Sequence, residues 1–80
     1  MKNIQVLYFA SLREQCGKES ENIQTSCETP LALYEELRSR YDFSLPGGQV
    51  KFAVDNAYVD ADSFLMDGME LLLLPPVAGG

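Results

Sequence analysis

The sequence closes on Pro75-Pro76-Val77-Ala78-Gly79-Gly80, the stretch of the chain best suited to chemistry. A terminal glycine has no Cβ to hinder attack on its carboxyl carbon, and its backbone reaches angles closed to other residues. Gly79 and Gly80 therefore suit a narrow active site. Pro75 and Pro76 donate no amide hydrogen to a sheet ladder and favour extended geometry, so they are expected to end a strand and project Val77 and the glycines outward. Five residues after Pro75 reach about 17 Å at ~3.4 Å each. Other chemistry is poorly provided for. The chain contains no His, the usual general base for a Ser or Cys nucleophile, so catalysis by the isolated chain is not expected. Cys16 and Cys27 lie eleven positions apart without a second pair. That spacing does not read as a zinc site, and no metal ligand is assigned. Without secretory context, two such cysteines read as free thiols with a structural or incidental role.

Size and charge bound the rest. Eighty residues at 46% hydrophobic content make one domain with a single core. A formal net charge of −6 with only six basic residues argues against binding nucleic acid, whose phosphates demand clustered Lys and Arg, and against anionic membranes. No apolar run approaches the ~20 residues that span a bilayer, and Met1-Lys2-Asn3 leads into a strand and not a signal peptide. A cytoplasmic protein is expected, with its body over residues 1–75 and an extended tail over 76–80.

The elements that position this tail can be read from periodicity. Ile4, Val6 and Tyr8 alternate with Gln5, Leu7 and Phe9, which predicts a strand with two apolar faces toward its C-terminal end. Ser11 to Gly17 reads as a turn, and Glu19 to Thr25, polar except for Ile23, as a solvated edge strand completing a hairpin. Thr29 before Pro30 is a helix-start signal. From there a helix is expected to run to about Tyr41, with Leu33, Tyr34, Leu37 and Tyr41 on one side and Glu35, Glu36, Arg38 and Arg40 toward water. Ser44 to Gly48 breaks the pattern as a loop. Val50–Val54 and Ala57–Val59 read as short strands about an Asp55-Asn56 turn, and Asp67-Gly68 as another turn. Leu71 to Leu74 form the unbroken apolar run expected of a central strand covered on both faces.

This order matches a β-grasp domain, an α+β arrangement with one main helix packed on one face of a mixed sheet of four to five strands and a flexible C-terminal tail. In that fold the first and last strands lie side by side and parallel. One helix covers one face only. With Ile4, Val6 and Tyr8 toward the helix, Leu7 and Phe9 point away, joined by Leu72 and Leu74 and extended by Tyr58. An uncovered apolar patch on a small domain marks a docking surface. The competing expectation is that the loop from Asp60 to Met66 folds over it.

Leu7-Tyr8-Phe9-Ala10-Ser11-Leu12-Arg13-Glu14, with Asp67-Gly68-Met69-Glu70 and the Pro75 to Gly80 ending, resembles the ubiquitin-like sulfur carriers of the molybdopterin synthase small-subunit family. The resemblance covers nearly the whole chain and is weakest over residues 42–49 and 60–65. It implies that a ubiquitin-activating-type adenylyltransferase uses ATP to adenylate the Gly80 carboxylate, and that a sulfur donor system converts it to a thiocarboxylate. No permanently bound cofactor is implied. The tail then enters the synthase large subunit, where sulfur passes to cyclic pyranopterin monophosphate, in a heterotetramer of two small and two large subunits. By the same resemblance Gly80 carries the sulfur and Gly79 keeps the approach slender. Phe9, Tyr58 and Leu74 match docking positions, and Arg13 a position near the interface. Three other readings stay open: a sulfur carrier for thiamine or tRNA thiolation, a ubiquitin-like conjugated modifier, and a plain interaction domain.

Overall fold

Strict alternation along the first strand sets the layout. In the computed structural model, which describes residues 1–76, Ile4, Val6 and Tyr8 are buried while Gln5 and Leu7 between them are only half-buried. They belong to β1 (Lys2–Tyr8), which is followed by α1 (Ala10–Cys16), β2 (Ser20–Thr25), α2 (Pro30–Tyr41), a 3-10 turn (Gly47–Gln49), β3 (Lys51–Val54), β4 (Ala57–Val59) and β5 (Glu70–Leu74). The five strands form one sheet in the order β2-β1-β5-β3-β4, with β1 and β5 parallel at its centre and the other pairs antiparallel. This is the β-grasp arrangement.

The helix α2 starts where its cap signal places it. The Thr29 hydroxyl accepts from the Ala32 amide at 3.2 Å, and Pro30 occupies the first turn, where its missing donor costs no hydrogen bond. Leu33, Tyr34 and Leu37 then pack fully buried against Ile4, Val6, Leu71, Leu73 and Phe52 of the sheet. Between β3 and β4, Asp55 (φ 53°) and Asn56 (φ 64°) take the left-handed pair of angles that a two-residue hairpin turn requires. Gly68 (φ 85°) supplies the positive angle leading into β5.

Two expectations need correction. Residues Ala10–Cys16, read as part of a turn, form the helix α1. Its only fully buried side chain is Leu12, so no apolar periodicity betrays it. The legible signal was Gly17, whose left-handed geometry (φ 75°) lets its amide donate to the Arg13 carbonyl at 2.9 Å and close the helix. The loop from Asp60 to Met66 also differs from the competing expectation that it covers the opposite face. It lies against the start of α2, with the Leu31 amide donating to the Ala61 carbonyl (3.0 Å), the Leu65 amide donating to the Glu28 carbonyl (2.8 Å), and Leu65 sunk into the core. It therefore does not cover the opposite face of the sheet.

A polar cluster fixes the far end of the helix to the sheet. The Glu21 carboxylate accepts from the Tyr8 hydroxyl (2.6 Å), the Tyr41 hydroxyl and the Lys18 ammonium (3.0 Å). Lys18 also donates to the Tyr41 hydroxyl at 3.0 Å. Burial pushes the Glu21 carboxyl up, but the hydrogen bonds from Tyr41, Tyr8 and Lys18, with the Lys18 charge, outweigh it and hold the group below its ordinary 4.5. A depressed carboxyl contributes stability that is present above the unfolded value and lost as pH falls through the folded one. Urea midpoints should accordingly drop on acidification below about pH 4.5. The gap between wild type and Glu21→Gln should shrink over the same interval; a constant gap would assign the cluster no proton linkage.

Candidate docking face and carrier terminus

The face of the sheet opposite α2 is built by ladder register. Leu7 on β1 stands beside Leu72 on β5, Leu72 opposite Ala53 on β3, and Ala53 opposite Tyr58 on β4. Four strands thus contribute one apolar row. In the three inner strands Val6, Tyr8, Phe52, Leu71 and Leu73 are buried on the helix side, so their alternating neighbours are fixed to the uncovered side by the two-residue period, and the ladder places Tyr58 of the edge strand β4 with them. Tyr58 is 76% exposed. An exposed aromatic next to half-buried leucines is a surface awaiting cover.

Phe9 and Arg13 extend this face at the C-terminal end of β1, lining a shallow depression with Gln5, Leu7, Ser20 and Glu70. The turn that brings them there is strained: Ala10 has φ 50°, uncommon for a residue with a Cβ. Arg13 forms an ion pair with Glu19 at 3.5 Å, both side chains being largely solvated. Such pairs contribute at most about 1 kcal/mol, so Arg13 can exchange this partner at little cost. On the other flank, Ala53, Asn56, Ala57, Tyr58, Leu72 and Leu74 line a groove of about 240 Å³. This is smaller than the ~300–1,000 Å³ of small-molecule pockets and suits side chains of a protein partner.

The structure therefore brings Phe9, Arg13, Tyr58, Leu72 and Leu74 onto one side of the sheet. Pro75, half-buried, and Pro76, exposed, follow β5 directly. Val77, Gly79 and Gly80 lie outside the described residues. Ala53 is the member that sequence reading missed. Its signal was the alternation with Phe52, which is buried on the helix side; Ala53 itself is buried between its neighbours and lines the groove with Leu72 and Tyr58.

Neither cysteine joins this face as a reactive group. Both are free. The Cys27 thiol donates to the Glu36 carboxylate at 2.9 Å. Burial first, then that carboxylate, pushes the thiol up and keeps it protonated. Among the described residues no helix is long and apolar enough to cross a membrane.

Residues 6–80 match the ThiS family. A molybdopterin synthase sulfur carrier subunit from Escherichia coli is 34% identical over 80 residues, covering 96% of this chain and 99% of the relative. The human protein of the same description is 35% identical over 86 residues, covering 96% and 93%. Among solved structures, a chain in the complex of subunits 1 and 2 of molybdopterin-converting factor from Helicobacter pylori aligns with a TM-score of 0.65. It is 24% identical and covers 98% of this chain and 99% of that one. This likeness establishes the shared fold.

Proposed function

The chain belongs to the ThiS family, and from that premise we propose that it is a sulfur carrier acting with the large subunit of molybdopterin synthase. The observation that carries the reading is the uncovered apolar row ending at Leu74, the last residue of β5, from which the chain runs through Pro75 and Pro76 toward Gly79 and Gly80. The docking surface and the carrier terminus thus leave the same strand. Fixing one against a partner aims the other.

In the proposed cycle a ubiquitin-activating-type adenylyltransferase joins the Gly80 carboxylate to the AMP portion of ATP and releases pyrophosphate. A carboxylate is a poor electrophile until one oxygen belongs to a good leaving group, and the mixed anhydride provides it. Sulfur from a donor system displaces AMP and leaves a thiocarboxylate, anionic and nucleophilic. Inside the large subunit that sulfur attacks a carbon of cyclic pyranopterin monophosphate, forming a C–S bond while a C–O bond at that carbon breaks and its oxygen leaves, so that carrier and precursor are joined as a thioester. Hydrolysis of the resulting thioester leaves the sulfur on the product and restores the Gly80 carboxylate. A dithiolene needs two sulfurs, so carriers must discharge, leave and be recharged, which requires a reversible interface. Phe9, Tyr58, Leu72 and Leu74 supply its apolar part, and Arg13 its charged rim. Pro75, Pro76 and Val77 contact the partner along the approach, and Gly79 keeps it slim.

Phe9→Ala tests the surface. Truncating an aromatic anchor should weaken association with the large subunit ~10-fold or more, with little change in the thermal midpoint because Phe9 is outside the helix-side core. Loss of folding instead would place Phe9 in the core and refute its docking role.

A further inference from the structure

Five of the six basic residues are already engaged within the chain. Lys2 donates to the Cys27 carbonyl at 3.2 Å, and Lys18 to Glu21 and Tyr41. Arg13 pairs with Glu19, Arg38 with Glu35 at 3.8 Å, and Arg40 with Glu36 at 3.9 Å. Lys51 is the exception among the described residues. No carboxylate of that set lies within ion-pair distance of its ammonium, although Asp60 lines the same groove. With twelve acidic residues to six basic ones, the chain does not lack carboxylates to offer.

Its position gives this unpaired charge a meaning. Lys51 opens β3 directly opposite Leu74, and its neighbour Phe52 is buried on the helix side, so Lys51 stands on the uncovered face. It also lines a groove with Tyr58 at the β3–β4 edge of the sheet, which reaches round to Leu31 of α2. When an apolar surface closes over Leu74 and Tyr58, the ammonium loses water, and only a hydrogen-bonded anion compensates that loss. We infer that Lys51 is a specificity-determining contact that pairs with an Asp or Glu carboxylate of the large subunit beside the point where the tail leaves β5. This rests on the docking reading above. Because the chain carries −6 overall, its partner's facing surface is complementary where it is basic, and an acidic group opposite Lys51 marks one orientation within it. Surfaces lacking that group are rejected by the cost of stripping the ammonium.

The test measures affinity of the full chain for the large subunit at low and high salt, for wild type, Lys51→Met, Lys51→Arg, Lys51→Glu and Phe9→Ala. Methionine keeps the apolar stem and removes the charge. It should bind ~10-fold more weakly at low salt, with the deficit narrowing at high salt, while Lys51→Glu should lose ~100-fold or more. Arginine should stay within about threefold of wild type. Thermal midpoints should not move, since Lys51 has no side-chain hydrogen bond or ion pair to lose among the described residues. Lys51→Met binding as tightly as wild type at low salt, while Phe9→Ala binds weakly, overturns the Lys51 contact and leaves the docking face standing. Unchanged binding by Phe9→Ala and Lys51→Met together overturns both.

Discussion

Removing Gly80, or adding one residue beyond it, should abolish sulfur transfer in a reconstituted synthase while leaving the thermal midpoint and the affinity for the large subunit nearly unchanged. The body of the domain closes its core by Leu73, and none of the buried residues lies in the tail among those described. The described core is thus assembled from residues that precede the tail. Transfer, in the proposed cycle, depends on the terminus, because the activated carbon belongs to the last residue. An added residue moves the carboxyl group by about 3.4 Å, several times the tolerance within which reacting atoms must be placed. It also puts a Cβ beside the reacting carbon unless the addition is glycine. A chain lengthened by one alanine that still formed product at the wild-type rate would identify the domain as an interaction module whose glycines are incidental.

Leu74→Asp carries the second large effect. Leu74 is half-buried on the uncovered face, not in the helix-side core. In the free chain the new carboxylate meets water and stands across the ladder from Lys51, which limits any loss of stability. In the complex it must be buried in an apolar contact, either alone or as a desolvated pair that removes Lys51 from its own partner. Either costs several kcal/mol, so association should weaken on the order of 10³-fold, about 4 kcal/mol. Titration calorimetry against the large subunit reads this directly. Near-normal affinity would show that the face stays wet in the assembly.

Much of this architecture was legible because short-range physics dictates it. Thr29-Pro30 announced α2 through cap geometry, Asp55-Asn56 announced the β3–β4 hairpin through tolerance of positive φ, and Ile4, Val6 and Tyr8 announced a one-sided strand through period two. The uncovered apolar row followed from the same period. What escaped was set by longer-range packing. Helix α1 is held by Leu12 and its Gly17 cap, a pattern too short to show periodicity. The segment from Asp60 to Met66 was anchored by main-chain hydrogen bonds to Glu28 and Leu31, which no side-chain pattern reveals. The Glu21 cluster gathers Tyr8, Lys18 and Tyr41 from three parts of the chain. A polar residue in an edge strand gives no hint of such partners. Arg13, expected at an interface, is paired with Glu19 inside its own chain, and the unpaired cation beside the tail is Lys51, which drew no attention as the first residue of a short strand.

In the proposed cycle the Gly80 carboxyl group is the cargo site. Intact-mass spectrometry of the full chain, after incubation with its adenylyltransferase, ATP and a sulfur donor, tests it most directly. The expected result is a mass gain equal to replacing one oxygen by sulfur, confined to the C-terminal peptide and absent when ATP is omitted. A chain whose mass stays unchanged under those conditions, or whose added sulfur maps to Cys16 or Cys27, would contradict it.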